Sequence, residues 1–168
     1  MLFLCAHNSA RSILAEALLN RLGAGRFEAI SAGFSPADEI SPYAISLLEK
    51  INYRPDRLSP KSIASTLGDK DPGFDFIIRL SPDRRGGPRP TQFKGKPVII
   101  DWYLPDPCDA VSRFGGSPAA ITAAYADLFS FLAARLDTFA NLSVEALESP
   151  HIQARLDRMG EEPLRLAS

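Results

Sequence analysis

Cys5-Ala6-His7-Asn8-Ser9-Ala10-Arg11-Ser12 is the stretch that decides the fold, because it joins an apolar run directly to a helical pattern. Leu2-Phe3-Leu4-Cys5 has the character of a buried strand, and residues 12–22 have the spacing of a helix. A strand that passes through a short turn into a helix is the first half of a βαβ unit. Ligands of such sheets bind beyond the carboxyl ends of the strands, where this turn lies.

The rest of the chain continues the alternation of strands and helices. Further strands are predicted at residues 27–31, 74–80 and 97–101, and a second helix at residues 39–51. Ser117, a good N-cap, and Pro118 begin a long helix. Its single apolar face contains Ile121, Tyr125, Leu128, Leu132, Leu136 and Phe139. This order of elements predicts βαβ units and a parallel sheet.

Length and composition exclude several classes of protein. The 168 residues suit one domain, 1–168, in which residues 141–168 are expected to form a helical C-terminal tail. The net charge of -1 offers no basic field for nucleic acid or acidic lipid. No apolar run approaches the roughly 20 residues of a membrane span, so we expect no membrane partner and a cytoplasmic location. Two cysteines and two histidines fit no zinc spacing, so no metal site is expected.

The turn itself has the chemistry of an anion cradle. A helix N-terminus offers free backbone N–H groups and a positive dipole end, and eight wrapped residues can aim several amides at a tetrahedral oxyanion. Arg11 adds a guanidinium that can bind two oxygens at once. The same field favours the thiolate form of Cys5, which would then lie under the bound oxyanion as a nucleophile.

A thiolate that attacks phosphorus needs a general acid to protonate the leaving oxygen. Asp106 is the candidate, since Leu104-Pro105-Asp106-Pro107 follows a predicted strand and should emerge at the same edge of the sheet as Cys5. Asp101 and Asp109 are the competitors for this role.

These motifs together resemble the low-molecular-weight protein tyrosine phosphatase superfamily, and within it the bacterial arsenate reductase branch. The resemblance rests on the Cys5 to Ser12 loop, on the Asp106-Pro107 pair and on small motifs in the same order along the chain. Those motifs are Ala15-Glu16-Ala17, Ser31-Ala32-Gly33, Pro60-Lys61-Ser62, Phe74-Asp75-Phe76-Ile77, Gly95-Lys96-Pro97 and residues 153–160.

The resemblance implies a fold and a set of roles. The fold is α/β, a three-layer αβα arrangement with a central four-stranded parallel sheet, flavodoxin-like. Cys5 would form a covalent adduct with phosphate or arsenate, Arg11 would clamp the oxyanion, and Asp106 would act as acid and then base. The oxyanion-binding and loop-ordering residues would be Ala6, His7, Asn8, Ser9, Ala10, Arg11 and Ser12, with Asn8 ordering the loop and Ser12 supporting the thiolate. Hydrolysis would need no metal or organic cofactor.

One departure from the reductase branch concerns cysteines. Reductase relatives with internal redox chemistry carry two further cysteines after the third strand, where this chain has Ser81-Pro82-Asp83 and Gly86-Gly87-Pro88-Arg89-Pro90. Reduction of arsenate takes two electrons, which one thiol cannot supply by closing an internal disulfide. Reductase activity would therefore need an external thiol, such as glutathione with glutaredoxin as a partner. Cys108 is a further candidate for a resolving thiol, at a position that does not match the family's.

Three functions stay open from the sequence. The first is a cysteine-dependent phosphomonoesterase that acts on a phosphotyrosine-type substrate through phosphocysteine. The second is an arsenate reductase that uses external thiols. The third is a noncatalytic sensor of phosphate or phosphoprotein, against which the presence of both nucleophile and acid argues.

His7, the basic segment and two aromatic residues can each be interpreted in two ways. His7 is either a base or a residue that shapes the loop. The segment from Arg79 to Lys96 is either a solvated basic loop or a rim that attracts an anionic substrate. Trp102 and Tyr103 either wall the pocket or pack in the core.

Overall fold

A parallel sheet lies at the centre of the computed structural model, which describes residues 1–67, 73–81, 93–107 and 116–161. Within these residues the sheet has four strands in the order β2-β1-β3-β4. The strands are β1 (Leu2–Cys5), β2 (Ile30–Gly33), β3 (Phe76–Arg79) and β4 (Val98–Asp101). In the register, Leu4 lies beside Ala32 on one side and Arg79 on the other. The prediction of a parallel α/β sheet is confirmed.

Helices and one short 3-10 turn lie between the first three strands, and further helices follow β4. The helices are α1 (Arg11–Leu22), α2 (Pro42–Lys50), α3 (Ile63–Thr66), α4 (Pro118–Ala140), α5 (Val144–Leu147) and α6 (Ile152–Glu161), with the 3-10 turn at Pro55–Arg57. The predicted start of the long helix is confirmed, because the Ser117 hydroxyl accepts from the Ala120 amide and Pro118 is the first helical residue.

The strand side chains alternate between two apolar clusters. Phe3, Cys5 and Ile78 belong to the larger cluster, which α1, α2, α4 and α6 cover. Leu4 and Ile77 belong to the smaller one on the other face, against which Ile63 of α3 and Leu67 pack. Strands that are buried on both faces are typical of parallel sheets, which explains why consecutive residues of β1 and β3 are apolar.

Two predicted starts are wrong by three residues, and the other predicted boundaries differ by at most two. The second strand begins at Ile30 instead of residue 27, because the Phe27 amide donates to the Gly23 carbonyl in the turn that ends α1. The second helix begins at Pro42 instead of residue 39, because the Ser41 amide donates to the Ser9 carbonyl and so belongs to the wall of the Cys5 loop.

Helix α4 is the one described helix that is long and apolar enough, by length and composition alone, to cross a membrane. A helix with one apolar face packed against other elements meets the same criterion. In α4 the buried residues include Tyr125, Leu128, Leu132, Leu136 and Phe139, the face predicted from the spacing. These side chains join the cluster that α1 and β1 also line.

Candidate active site

The turn between β1 and α1 is held from outside by the segment that follows β2. The carbonyls of Ala6, His7 and Ser9 accept hydrogen bonds of 2.9 Å from the amides of residues 35, 37 and 41. Because its carbonyls are bound outward, the turn can present amides to its inner side. Gly33 permits this close approach, since a Cβ there would lie 3.0 Å from the Ala6 oxygen and from the Asn8 nitrogen.

Cys5 lies at the bottom of the turn with its thiol group buried. Its Sγ atom accepts a hydrogen bond from the Asn8 amide at 3.2 Å and lies 2.9 Å from the Ser12 Oγ. The Cys5 residue is 2% exposed. The Cys5 sulfur therefore has two hydrogen-bond donors and lies at the N-terminus of α1, where the helix dipole is positive.

Asn8 orders this arrangement through three side-chain hydrogen bonds. Its Nδ2 donates to the hydroxyls of Ser12 and Ser31, both at 2.8 Å, and its Oδ1 accepts from the Lys61 amide at 2.6 Å. Since the Ser12 oxygen accepts from Asn8, its own hydrogen is available to donate to Cys5. Asn8 also has a φ of 47°, a left-handed conformation that asparagine tolerates better than most residues.

A buried carboxylate completes the network behind Asn8. The Ser31 hydroxyl donates to the Glu16 Oε2 at 2.5 Å, and the Lys61 ammonium lies 3.3 Å from the same oxygen. Glu16 is 7% exposed, so the ion pair with Lys61 is what makes a charge there tolerable. Reasoning from the sequence gave Ser31, Glu16 and Lys61 no role, although each lies in one of the short motifs that carry the resemblance.

Arg11 connects the turn to the loop after β4. Its Nη1 donates to the Leu104 carbonyl at 3.0 Å, and its Nη2 to the Asp106 Oδ2 at 2.5 Å. The Arg11 side chain is 6% exposed and that of Asp106 is 18% exposed. These two bonds use one N–H on each terminal nitrogen, and guanidinium has five, so donors remain for an oxyanion.

The competitors of Asp106 are placed differently. Asp101 makes a two-point ion pair with Arg79 across the register of β3 and β4, at 2.5 and 2.7 Å. This hydrogen bonding with Asp101 raises the pKa of Arg79. Asp109 lies outside the described residues. Of the two candidate acids that the structure describes, Asp106 is therefore the one that Arg11 binds.

The remaining residues singled out from the sequence divide between surface and core. The His7 Nδ1 donates to the Ser35 carbonyl at 3.1 Å, which ties the exposed ring to the wall of the loop. Trp102 is fully buried and Tyr103 is 49% exposed, so Trp102 packs in the core and Tyr103 faces solvent. Cys108 and most of the basic segment lie outside the described residues.

The arrangement has the parts for covalent chemistry on a tetrahedral oxyanion. It combines a buried sulfur with two donors, a guanidinium with spare N–H groups and a carboxylate held on that guanidinium. Among the described residues, no three His, Cys, Asp or Glu side chains cluster as a metal site requires.

Comparison with known proteins identifies the family. The low molecular weight phosphotyrosine protein phosphatase family matches residues 1–108, which include the cradle, the sheet and Asp106. The chain belongs to this family. A curated relative, the glutaredoxin arsenate reductase of Synechocystis sp. (strain ATCC 27184 / PCC 6803 / Kazusa), is 28% identical over 107 residues, which are 64% of this chain and 77% of the relative.

Solved structures of arsenate reductases share the fold. An arsenate reductase from Archaeoglobus fulgidus DSM 4304 superposes with a TM-score of 0.61 at 22% identity, over 84% of this chain and 98% of that one. The thioredoxin-dependent arsenate reductase of Corynebacterium glutamicum gives a TM-score of 0.59 at 23% identity, over 82% of this chain and 58% of that one. At these identities the likeness establishes the three-layer fold, as predicted.

Proposed function

We propose that the protein is a cysteine-dependent phosphomonoesterase that works through a phosphocysteine intermediate. The observation that carries the proposal is the meeting of Cys5, Arg11 and Asp106 at one edge of the sheet, although the first two flank the turn between β1 and α1 and the third lies in the loop after β4. A site that only bound phosphate would need the cradle and Arg11, but neither a buried thiol with two donors nor a carboxylate on the clamp.

The first chemical step forms a sulfur–phosphorus bond. The Cys5 thiolate attacks phosphorus while the bond to the alcohol oxygen breaks, and Asp106 in its acid form gives that oxygen a proton. Arg11 and the amides of the turn hold the non-bridging oxygens throughout. An arriving dianion competes with Asp106 for Arg11, which frees the carboxyl to face the leaving group.

The second step returns the enzyme to its starting state. Asp106, now a carboxylate, takes a proton from water, and the water oxygen attacks phosphorus as the bond to sulfur breaks. The products are inorganic phosphate and the Cys5 thiolate, which Ser12 and the Asn8 amide stabilise. No electrons are transferred, so no second thiol is required.

Hydrolysis of an aryl phosphate tests the proposal. The wild type should release the phenol, and Cys5→Ser should lower the rate by roughly 10⁴-fold or more, because the hydroxyl is a far weaker nucleophile. Cys108→Ser is the matched control, since it removes the other thiol of the chain, and it should keep the wild-type rate. Retained turnover in Cys5→Ser would remove Cys5 from its role. Phosphate binding without turnover in the wild type would favour a sensor.

Arsenate reduction is the second candidate, favoured by the relative that is named a glutaredoxin arsenate reductase. Arsenate would form a thiol ester with Cys5, and glutathione would attack the Cys5 sulfur, so that arsenic gains two electrons and leaves as arsenite. A mixed disulfide would remain for glutaredoxin and a second glutathione to reduce. Ser81, two residues after the end of β3, has a buried hydroxyl where the reductase branch has a thiol, which favours this external route.

A coupled assay separates the two candidates. Arsenate-dependent NADPH oxidation is followed with glutathione, glutaredoxin and glutathione reductase, and Cys5→Ser serves as the background. A rate well above that background would make the protein a reductase with hydrolysis as a side reaction. A flat trace from a protein that hydrolyses an aryl phosphate would leave the phosphomonoesterase as its activity.

A further inference from the structure

Helix α6 packs against β4, the edge strand of the sheet, immediately before the loop that carries Asp106. This helix follows α4 and lies outside residues 1–108, the part of the chain that matches the family. Ile152 and Leu156 bury their side chains in the main core, at 6% and 0% exposure. Gln153 donates from Nε2 to the Ile99 carbonyl of β4 at 2.9 Å. Helix α6 is thus bound to the edge of the sheet by both apolar and polar contacts.

The tightest of these contacts converge on Trp102. The indole Nε1 donates to the Leu156 carbonyl at 2.9 Å. A Cβ on Gly160 would lie 2.7 Å from both the Asp101 carbonyl oxygen and the Trp102 Cδ1, so only glycine allows α6 to come this close. Arg135 of α4 joins the two elements, since its guanidinium stacks 5.6 Å from the Trp102 ring centroid and donates to the Gly160 carbonyl at 2.7 Å.

Trp102 is also the first residue of the acid loop, by which we mean residues 102–106. Its amide donates to the Arg79 carbonyl at 2.9 Å, and the Leu104 amide donates to the Leu80 carbonyl at 3.0 Å. The Leu104 carbonyl then accepts from Arg11, which also holds Asp106. A continuous series of contacts therefore leads from α6 through Trp102 to the two groups that Arg11 binds.

We propose that α6 positions the acid loop, with Gly160 and Trp102 as positioning residues for Asp106. The Cys5 cradle is built by β1, α1 and the segment after β2, so α6 acts on proton transfer and not on the nucleophile. The kinetic part of this proposal rests on the proposed hydrolysis.

Gly160→Ala is the sharpest test. Alanine suits a helix better than glycine, so any loss comes from the collision with Trp102 and the Asp101 carbonyl. Arg155→Ala is the matched control, because Arg155 lies on the exposed face of the same helix. Trp102→Phe is a second variant that removes the indole N–H without adding bulk. Melting temperature and far-UV circular dichroism establish that each variant is folded.

Two readouts report on the acid loop. The first is kcat/KM, which reports the steps through release of the alcohol, for phenyl phosphate, a poor leaving group that needs the acid, and for 2,4-dinitrophenyl phosphate, which does not. Gly160→Ala should lower kcat/KM for phenyl phosphate by about 10-fold and for the dinitrophenyl ester by less than about 2-fold, since a misplaced general acid affects this step only with the poor leaving group. The second readout is amide hydrogen exchange, in which Trp102 and Leu104 should exchange about 10-fold faster while β1 is unchanged.

The outcomes separate this proposal from the proposed function. Equal loss for both esters in Gly160→Ala and Trp102→Phe, or unchanged exchange at Trp102 and Leu104, would overturn the positioning role. If the wild type hydrolyses neither ester, the proposed function fails, and faster exchange confined to the acid loop in Gly160→Ala still supports the role of α6. The fluorescence of Trp102, the single tryptophan of the chain, should shift to the red in Gly160→Ala and stay unchanged in Arg155→Ala.

Discussion

Arg11 and Asp106 form an ion pair of 2.5 Å between residues that are 95 positions apart in the chain. The pair joins the first helix to the loop after the last strand, across the carboxyl edge of the sheet. The same guanidinium holds the Leu104 carbonyl, so it fixes the loop at two points. Because both side chains are mostly buried, the pair is far less screened than a surface ion pair.

Asp106→Asn tests the general acid. The amide can still accept from Arg11 but cannot donate and reclaim a proton, so hydrolysis of phenyl phosphate should fall by about 10²-fold or more. The first step with a dinitrophenyl ester should be slowed less, because that leaving group departs without a proton. Rates measured with a series of leaving groups provide the check.

Asp101→Asn is the matched control for that experiment. Asp101 is a carboxylate only five residues away, but its partner is Arg79 and not Arg11. It should keep the wild-type dependence on the leaving group. A loss confined to Asp101→Asn, with Asp106→Asn unaffected, would transfer the acid role to Asp101.

Arg11→Lys tests the clamp. Lysine keeps the charge but cannot bind two oxygens in one plane, nor hold Leu104 and Asp106 together. We expect kcat/KM for an aryl phosphate to drop by about 10- to 100-fold, with weaker binding of inorganic phosphate. Steady-state kinetics and calorimetry measure both effects. Wild-type phosphate affinity in the variant would show that the backbone amides alone bind the oxyanion.

Asn8→Ala tests the network that supports the sulfur. The variant loses three side-chain hydrogen bonds in the interior and retains a positive φ, so it should be destabilised by roughly 3 kcal/mol. Alkylation of Cys5 by iodoacetamide should also slow, because Ser12 loses the partner that orients it. Chemical denaturation and alkylation rates provide the measurements.

Asn52→Ala is a close control for the network. Asn52 also has a positive φ, 55°, but it is exposed and ends α2 away from the cradle. Its replacement costs the same backbone strain without the network. If the two variants are equally destabilised and Cys5 reacts normally in both, the side chain of Asn8 has no special part in the site.

The sequence alone predicted the fold and the location of the cradle. This was possible because strand β1 and helix α1 are local patterns joined by a single turn. The approach of Asp106 to Arg11 could be predicted as a shared sheet edge, since parallel strands end together. The direct ion pair could not, because it depends on how far the loop after β4 folds back over α1.

Local sequence patterns could not predict the hydrogen-bond network that supports the cradle. Glu16 lies on the helical face that would be expected to carry apolar residues. Its partner Ser31 lies in β2, and its partner Lys61 lies just before α3. Gly160 looks like an ordinary helix end in the sequence, and only its packing on Trp102 shows why a side chain is excluded there. Such contacts depend on long-range packing, which spacing along one element does not encode.

The most direct test of the central claim is to trap the covalent intermediate. Asp106→Asn is mixed with a dinitrophenyl phosphate, quenched in acid within the first turnovers, digested and analysed by mass spectrometry. The account predicts a phosphoryl group on the peptide that contains Cys5, because attack proceeds with a good leaving group while the water step lacks its base. An unmodified Cys5 peptide alongside a burst of released phenol, or a phosphoryl group on another residue, would contradict it.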